Sequence, residues 1–209
     1  MKELQQLSDI VCGAGKGEQK VAVLHGLGGI GKTGIVLEYV RRRCATYTSI
    51  LWIYAATAEV LKHSLMLGAQ TLIDHLALKY DGPGKPDFID IACDLGIPGL
   101  INASGQLRYD AESDDQDRIM GVLPKWLAAE GNDQWLLVFD NVDDMKVIDR
   151  LKHFPQTSSG TIIITSRRRD IVHWGTGSIQ VEEMDHDDAL FLLMARAHLD
   201  QKELSTTGE

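Results

Sequence analysis

The chain has 209 residues, 44% of them hydrophobic and five of them proline, enough apolar material for one sizeable core and too little proline for a low-complexity or collagen-like chain. Thirty acidic residues against 21 basic ones give a formal charge of −9, so attraction to a phosphate backbone would need a local basic patch, and nucleic acid is not an expected partner. No apolar run approaches the roughly 20 residues that span a bilayer and the N-terminus lacks an apolar signal region, so a cytoplasmic protein without a membrane partner is expected.

In chain order, Val21 to Leu24 is a short β-branched apolar run that ends in glycines, and Lys32 to Arg43 follows with apolar residues at Ile35, Val36, Tyr39 and Val40. This spacing predicts strand, glycine loop, helix. Arg41 to Arg43 complement the dipole at the end of that helix. Ile50 to Tyr54 is a second buried strand, and helical spacing runs from about Ala58 to Lys79. The stretch from 81 to 117 opens with DGPGKP, contains LGIPGL and closes on an acidic cluster, which predicts a surface excursion with one short helix near Phe88 to Leu95. A helix from about Gln116 to Glu130 leads into a third strand, Trp135 to Phe139. Thr161 to Thr165 is a fourth strand, Ser178 to Val181 a weaker fifth, and a helix from about His186 to Leu199 closes the chain.

Strands apolar throughout and separated by helices predict a three-layer α/β/α sandwich around a mainly parallel five-stranded sheet, because only such a sheet buries both faces of each strand. We expect a single domain over 1–209. The cysteines Cys12, Cys44 and Cys93 form no CxxC pair and are expected to be reduced, buried thiols. The histidines have no metal-ligand spacing; His25, before the glycine loop, is expected to be a packed strand residue.

The segment GLGGIGKT, Gly26 to Thr33, satisfies GxxxxGK(S/T) between a strand and a helix, the context in which this pattern holds a polyphosphate. Its glycines let main-chain N–H groups approach phosphate oxygens, and the helix that begins near Lys32 directs its positive end at the same anion. The expected binding residues are Gly28, Gly29, Ile30, Gly31, Lys32, Thr33 and Gly34. Lys32 would reach the β- and γ-phosphates and Thr33 would take one magnesium position. A second lysine-containing segment, Gly13 to Gly17, follows no buried strand and reads as a loop.

Phosphoryl chemistry also needs a carboxylate for the metal and a group that positions water. The third strand ends in Asp140, the expected magnesium partner. Asn141 follows it; an amide can orient water but cannot take its proton. Asp143 and Asp144 either supply the missing charge or cap the next helix. After the fourth strand come Ser166, Arg167, Arg168 and Arg169. Arg167, nearest the strand end, is the expected cation that meets the γ-phosphate, and Arg168 and Arg169 read as a solvated basic turn.

Taken in order, GLGGIGKT, LLVFDNVDD and IIITSRR resemble the NB-ARC branch of the STAND class of signal-transducing ATPases, and especially fungal NOD-like receptor proteins. LEYV, ILWIYAAT and MDHDDALFLL are similar to the same family, so the resemblance covers nearly the whole chain. It implies a switch core in which ADP holds a closed state and ATP favours a homo-oligomer in the full-length context. The sequence departs from the pattern in two places. No GRE-type element is recognisable in Met1 to Lys20, and the chain ends at Glu209, before the helical and winged-helix subdomains that carry a GxP motif and a diphosphate-sensing histidine. It reads as the bare core, either truncated or naturally short.

The expected function is Mg²⁺-dependent binding and slow hydrolysis of a nucleoside triphosphate, with ATP favoured over GTP because no NKxD element is present. The alternative, favoured by Asn141, is a regulatory module that binds nucleotide without significant hydrolysis. A kinase is less favoured, since no arginine-rich lid segment is evident.

Overall fold

The computed structural model describes residues 2–13, 18–79, 91, 93–95, 97, 99–102, 104–108, 113–129, 131–147, 159–186, 189–190 and 194. Five strands, β1 (Lys20–His25), β2 (Ser49–Tyr54), β3 (Trp135–Asp140), β4 (Thr161–Ser166) and β5 (Gly177–Gln180), form one sheet in the order β2-β3-β4-β1-β5. Every pairing among them is parallel. The described helices are α1 (Lys2–Gly13), α2 (Lys32–Arg43), α3 (Ala58–Lys79), α4 (Ser113–Met120) and α5 (Val122–Leu127).

Burial follows strand position. The central strands WLLVFD and TIIITS are buried at all six residues, as a sheet covered on both faces requires. The edge strands β2 and β5 each bury one residue fully, Ile53 and Ile179. The weak sequence signal of β5 is therefore that of an edge strand, whose outer side has no partner to cover. Alternation along each strand sends its side chains to two separate cores. On one face Val23, Ile53, Trp135, Leu137, Phe139, Ile162 and Ile164 pack with α3, α4 and α5. On the other, Ala22, Leu24, Leu136, Val138 and Ile163 meet Val36 and Tyr39 of α2 and Leu4, Leu7 and Val11 of α1. This is a three-layer α/β/α sandwich.

Helix α1 is not among the elements expected from the sequence. Its signal is the apolar series Leu4, Leu7, Val11, which recurs at helical spacing and is at most 8% exposed. It covers β1 and β5 beside α2, and Gly177 of β5 leaves room for Ile10: a Cβ there would lie 2.7 Å from Ile10 Cγ1.

The expected excursion at 81–117 is only in part a surface feature. Residues 81–90 lie outside the described residues, but Ile91, Ile97, Leu100 and Leu107 belong to the α3-side core, with Ile97 wholly buried. The buried Gln70 of α3 fastens this segment, donating from Nε2 to the Gly105 carbonyl at 2.8 Å and accepting the Leu107 amide at 2.7 Å. The apolar residues of LGIPGL, sited among glycines and prolines, are thus core residues carried on irregular backbone. The expected helix near Phe88 to Leu95 is described only from Ile91, whose carbonyl accepts the Leu95 amide at 3.0 Å. The helix expected at 116–130 is two helices, α4 and α5, starting at Ser113, and most of the expected closing helix lies outside the described residues.

The three cysteines are free, as expected, but all are exposed rather than buried. Cys12 sits next to the inward-facing Val11 and so points off the core, and Cys44 lies in the surface turn after α2. Among the described residues no helix is long and apolar enough to cross a membrane.

Candidate functional site

The loop from β1 to α2 bends sharply at its first glycine. Gly26 has φ 150°, and a Cβ added there would lie 2.4 Å from the Val181 carbonyl oxygen, so a larger residue would push β1 and the chain after β5 apart. At the other end Gly31, φ 104°, brings the chain into α2. The first amide of α2 to find a helical carbonyl is that of Ile35, which donates to Gly31 at 3.0 Å. The amides of Lys32, Thr33 and Gly34 therefore belong to the first turn, where the helix supplies no acceptor and its dipole favours an anion.

Lys32 is mostly buried. Its ammonium group donates to the loop carbonyls of Gly26 (2.9 Å) and Leu27 (2.7 Å). Burial lowers its pKa, with Arg167 adding to that effect and Asp143 and Asp140 opposing it.

Alternation decides what faces this loop. Phe139 and Ile164 are register partners and point to the α3 side; Asp140 and Thr165, the next residues, point to the α2 side. There Asp140 Oδ1 accepts hydrogen bonds from the Thr33 hydroxyl at 2.9 Å and from the Thr165 hydroxyl at 2.6 Å. Thr165 Oγ1 in turn accepts the Asn141 amide at 2.8 Å. Asn141 has φ 67°, a conformation that asparagine tolerates better than most residues. Thr165 was not singled out from the sequence. The available signal was a hydroxyl at the end of an otherwise apolar buried strand, where it must find a polar partner.

A hollow of about 460 Å³ opens here, lined by Gly28, Gly29, Gly31, Lys32, Thr33, Asn141, Thr165 and Arg167. The Thr33 hydroxyl and the Asp140 carboxylate are hard oxygen donors within hydrogen-bond distance of each other. Such a pair fits magnesium, which takes few protein ligands and completes its shell with water and phosphate oxygens. Gly34 lies on the first turn of α2, beside the hollow rather than in its wall.

Ser166 is the last residue of β4, level with His25, and Arg167 follows it beyond the edge of the sheet. Asp143 Oδ1 accepts the Arg167 amide at 2.7 Å, and its Oδ2 pairs with the Arg167 Nε at 2.5 Å. The Ser166 hydroxyl donates to the Val142 carbonyl at 2.6 Å and lies 3.1 Å from Asp143 Oδ1. Burial pushes the Asp143 carboxyl up, but hydrogen bonds from the Arg167 main chain, its guanidinium and the Ser166 hydroxyl outweigh burial and hold it below the usual carboxylate range. Asp144 behaves differently: its Oδ1 accepts the Lys146 amide at 2.9 Å and its carbonyl accepts the Val147 amide, which is the capping arrangement.

Arg168 pairs with Asp170, whereas Arg169 donates to Gln180 Oε1 at 2.8 Å and shares a hollow with the loop residues Gly26, Leu27 and Ile30. A second hollow of about 610 Å³ adjoins the first through Arg167; Gly26, Leu27, Ile30, Val181, Glu182 and Glu183 are among its walls. His25, 7% exposed, is a strand residue whose Nδ1 has no hydrogen-bond partner among the described residues. Burial lowers its pKa, and Arg169 and Lys32 lower it further. Among the described residues no group of His, Cys, Asp or Glu side chains is arranged to hold a metal by itself.

A glycine loop between a central strand and its helix, at the carboxyl edge of a parallel sheet and facing an acidic strand end, defines the P-loop class of α/β nucleotide-binding folds. No family model matches the chain. It is 24% identical over 193 residues to a nucleotide-binding leucine-rich repeat (NLR)-like protein of Hyaloscypha variabilis, covering 84% of this chain and 16% of that protein. Among solved structures, Cdc6p from Pyrobaculum aerophilum superposes with a TM-score of 0.59 and 15% identity, covering 94% of this chain and 48% of that one. The chain therefore spans less than half the length of either protein. The second likeness shows the P-loop sandwich fold, and the first bears out the resemblance to a NOD-like nucleotide-binding core.

Proposed function

We propose that this chain binds a Mg²⁺-nucleoside triphosphate and hydrolyses it slowly, as the switch core of a NOD-like signalling protein, with ATP favoured over GTP. The observation that carries the reading is the 2.9 Å contact between the Thr33 hydroxyl and Asp140 Oδ1. It joins the phosphate loop to the only carboxylate that ends a described strand of the sheet.

The polyphosphate lies in the glycine loop against the amides of Gly29 to Gly34, and the nucleoside occupies the adjoining hollow beside Leu27, Ile30 and Glu182. Lys32 exchanges its loop carbonyls for β- and γ-phosphate oxygens. Thr33 and Asp140 would hold magnesium, which would supply charge neutralisation to the bound polyphosphate. Arg167 meets the terminal phosphate, and Asn141 orients the attacking water. Nothing in Asn141 can accept a proton, so slow turnover is expected. In the full-length context the nucleotide state controls homo-oligomerisation.

Phosphate release measured with and without Mg²⁺, in the wild type and in Lys32→Ala, tests the reading. Mg²⁺-dependent release that is lost in the variant supports it; release unchanged by the substitution refutes it. Asn141 also favours a second reading, a module that binds nucleotide and hydrolyses none. Calorimetry that finds tight binding where phosphate release is absent selects that reading.

A further inference from the structure

Resting on that reading of the site, we propose that Asp143 is a positioning residue that holds the Arg167 guanidinium over the phosphate loop, ready for the terminal phosphate of a triphosphate. Three observations carry it. Asp143 grips Arg167 at two points, the main-chain amide at 2.7 Å and Nε at 2.5 Å, and a carboxylate that spans a residue's amide and its side-chain nitrogen restricts the torsions between them.

Asp143 is itself held. The neighbouring Val142 amide donates to the Thr165 carbonyl at 2.8 Å, and its carbonyl accepts the Ser166 hydroxyl at 2.6 Å, which ties the turn after β3 to the end of β4. The Asp143 side chain is 14% exposed against 60% for Arg167, so the less exposed anchor orients the exposed reader.

The orientation has a target. A Cβ placed on Gly28 would meet Arg167 Cδ at 3.3 Å and Nη1 at 3.9 Å, so the guanidinium crosses the phosphate loop at Gly28. Its Nη1 and Nη2 groups hold no partner among the described residues. Because Asp143 takes Nε and the main-chain amide alone, a phosphate oxygen can take the terminal nitrogens without displacing it. The same geometry makes Asp143 a weaker candidate for general base, since each of its oxygens already accepts a hydrogen bond from Arg167.

The test is the affinity of the full chain for ATP and for ADP, measured calorimetrically with Mg²⁺ for wild type, Arg167→Ala, Asp143→Ala and the double variant. Arg167→Ala is expected to lower ATP affinity about tenfold or more, the loss of one charge-assisted contact, with little change for ADP. Asp143→Ala is expected to erode the same ATP-over-ADP preference by several fold, and the double variant to be no worse than Arg167→Ala. Asp143→Asn, which keeps the shape and one acceptor oxygen, falls between wild type and Asp143→Ala and serves if the alanine variant does not fold.

If Arg167→Ala loses the preference while both Asp143 variants keep it, the positioning role is overturned and the site reading stands. The positioning role is equally overturned if Asp143→Ala weakens ADP and ATP alike, or if the two losses add in the double variant. If Arg167→Ala leaves the preference intact, the assignment of Arg167 falls and the positioning role falls with it.

Discussion

Replacement of Thr165 by valine keeps the shape of the side chain and deletes one oxygen whose contacts are defined. That oxygen donates to Asp140 Oδ1 at 2.6 Å and accepts the Asn141 amide at 2.8 Å, from a position 1% exposed. The isosteric change opens no cavity, so the cost is the loss of a charge-assisted hydrogen bond, about 2 kcal/mol. The Asn141 amide is only partly buried and recovers water, adding little. For a chain of this size the midpoint of thermal unfolding falls by roughly 4–8 °C. Thr165→Ser keeps both hydrogen bonds and loses one buried methyl, about 1 kcal/mol. Thermal unfolding followed by circular dichroism, with and without Mg²⁺ and ATP, separates the two. The valine variant is expected to lose the larger share both of intrinsic stability and of protection by Mg-ATP, because Asp140 is left with Thr33 as its single side-chain donor. A serine variant as impaired as the valine variant, or a valine variant as stable as wild type, refutes the role given to this hydroxyl.

Asn141, at φ 67°, is expected to accept glycine with little change in stability, whereas valine at the same position costs about 1–2 kcal/mol; urea titration measures both. Asn141→Asp adds a carboxylate next to Asp140 and is expected to raise the rate of phosphate release if water activation limits turnover. Gly26→Ala places a methyl 2.4 Å from the Val181 carbonyl oxygen and is expected to destabilise the chain by about 2 kcal/mol or more, read as a lowered unfolding midpoint. Asp143 has a depressed pKa in the folded chain, so the unfolded chain binds its proton more readily. The stability it contributes is therefore present above its unfolded pKa, about 3.9, and lost as the pH falls through the folded value. Urea titrations below pH 6 should show a shallower acid limb in Asp143→Asn than in wild type.

Periodicity and apolarity in the sequence located every strand of the sheet to within about two residues, because β3 and β4 carry runs of apolar residues that only a doubly covered strand buries. They also located α2 and α3, the first from its glycine loop and the second from its long helical spacing. The segment around LGIPGL misled, since its glycines and prolines signal loop while Ile91, Ile97, Leu100 and Leu107 lie in the core, and the bonds from Gln70 to Gly105 and Leu107 are long-range contacts that no local pattern announces. Helix α1 was overlooked although Leu4, Leu7 and Val11 carry its period. In the site, GLGGIGKT and the strand-ending Asp140 were legible because their chemistry is local in sequence. The contacts of Thr165 and Asp143 were not, as each depends on a partner 25 or 24 residues away across β3 and β4. Only the register of the sheet brings those partners together.

That register has a further meaning for how such a protein can change over time. His25 lies level with Ser166 and Gln180, Tyr54 with Asp140, and Asp140 one step past the Phe139–Ile164 pair, so the strands finish within one residue of a shared line. The apolar interior below that line can be kept by selection for folding alone, while exposed residues just past it, such as Asn141 and Arg167, are freer to be exchanged than Gly26, which admits no side chain. A slip of a single residue in β4 would carry Thr165 about 3.3 Å along the sheet and turn it to the opposite face. The scaffold thus permits its chemistry to be rewritten at the rim while tolerating almost no error in alignment beneath it.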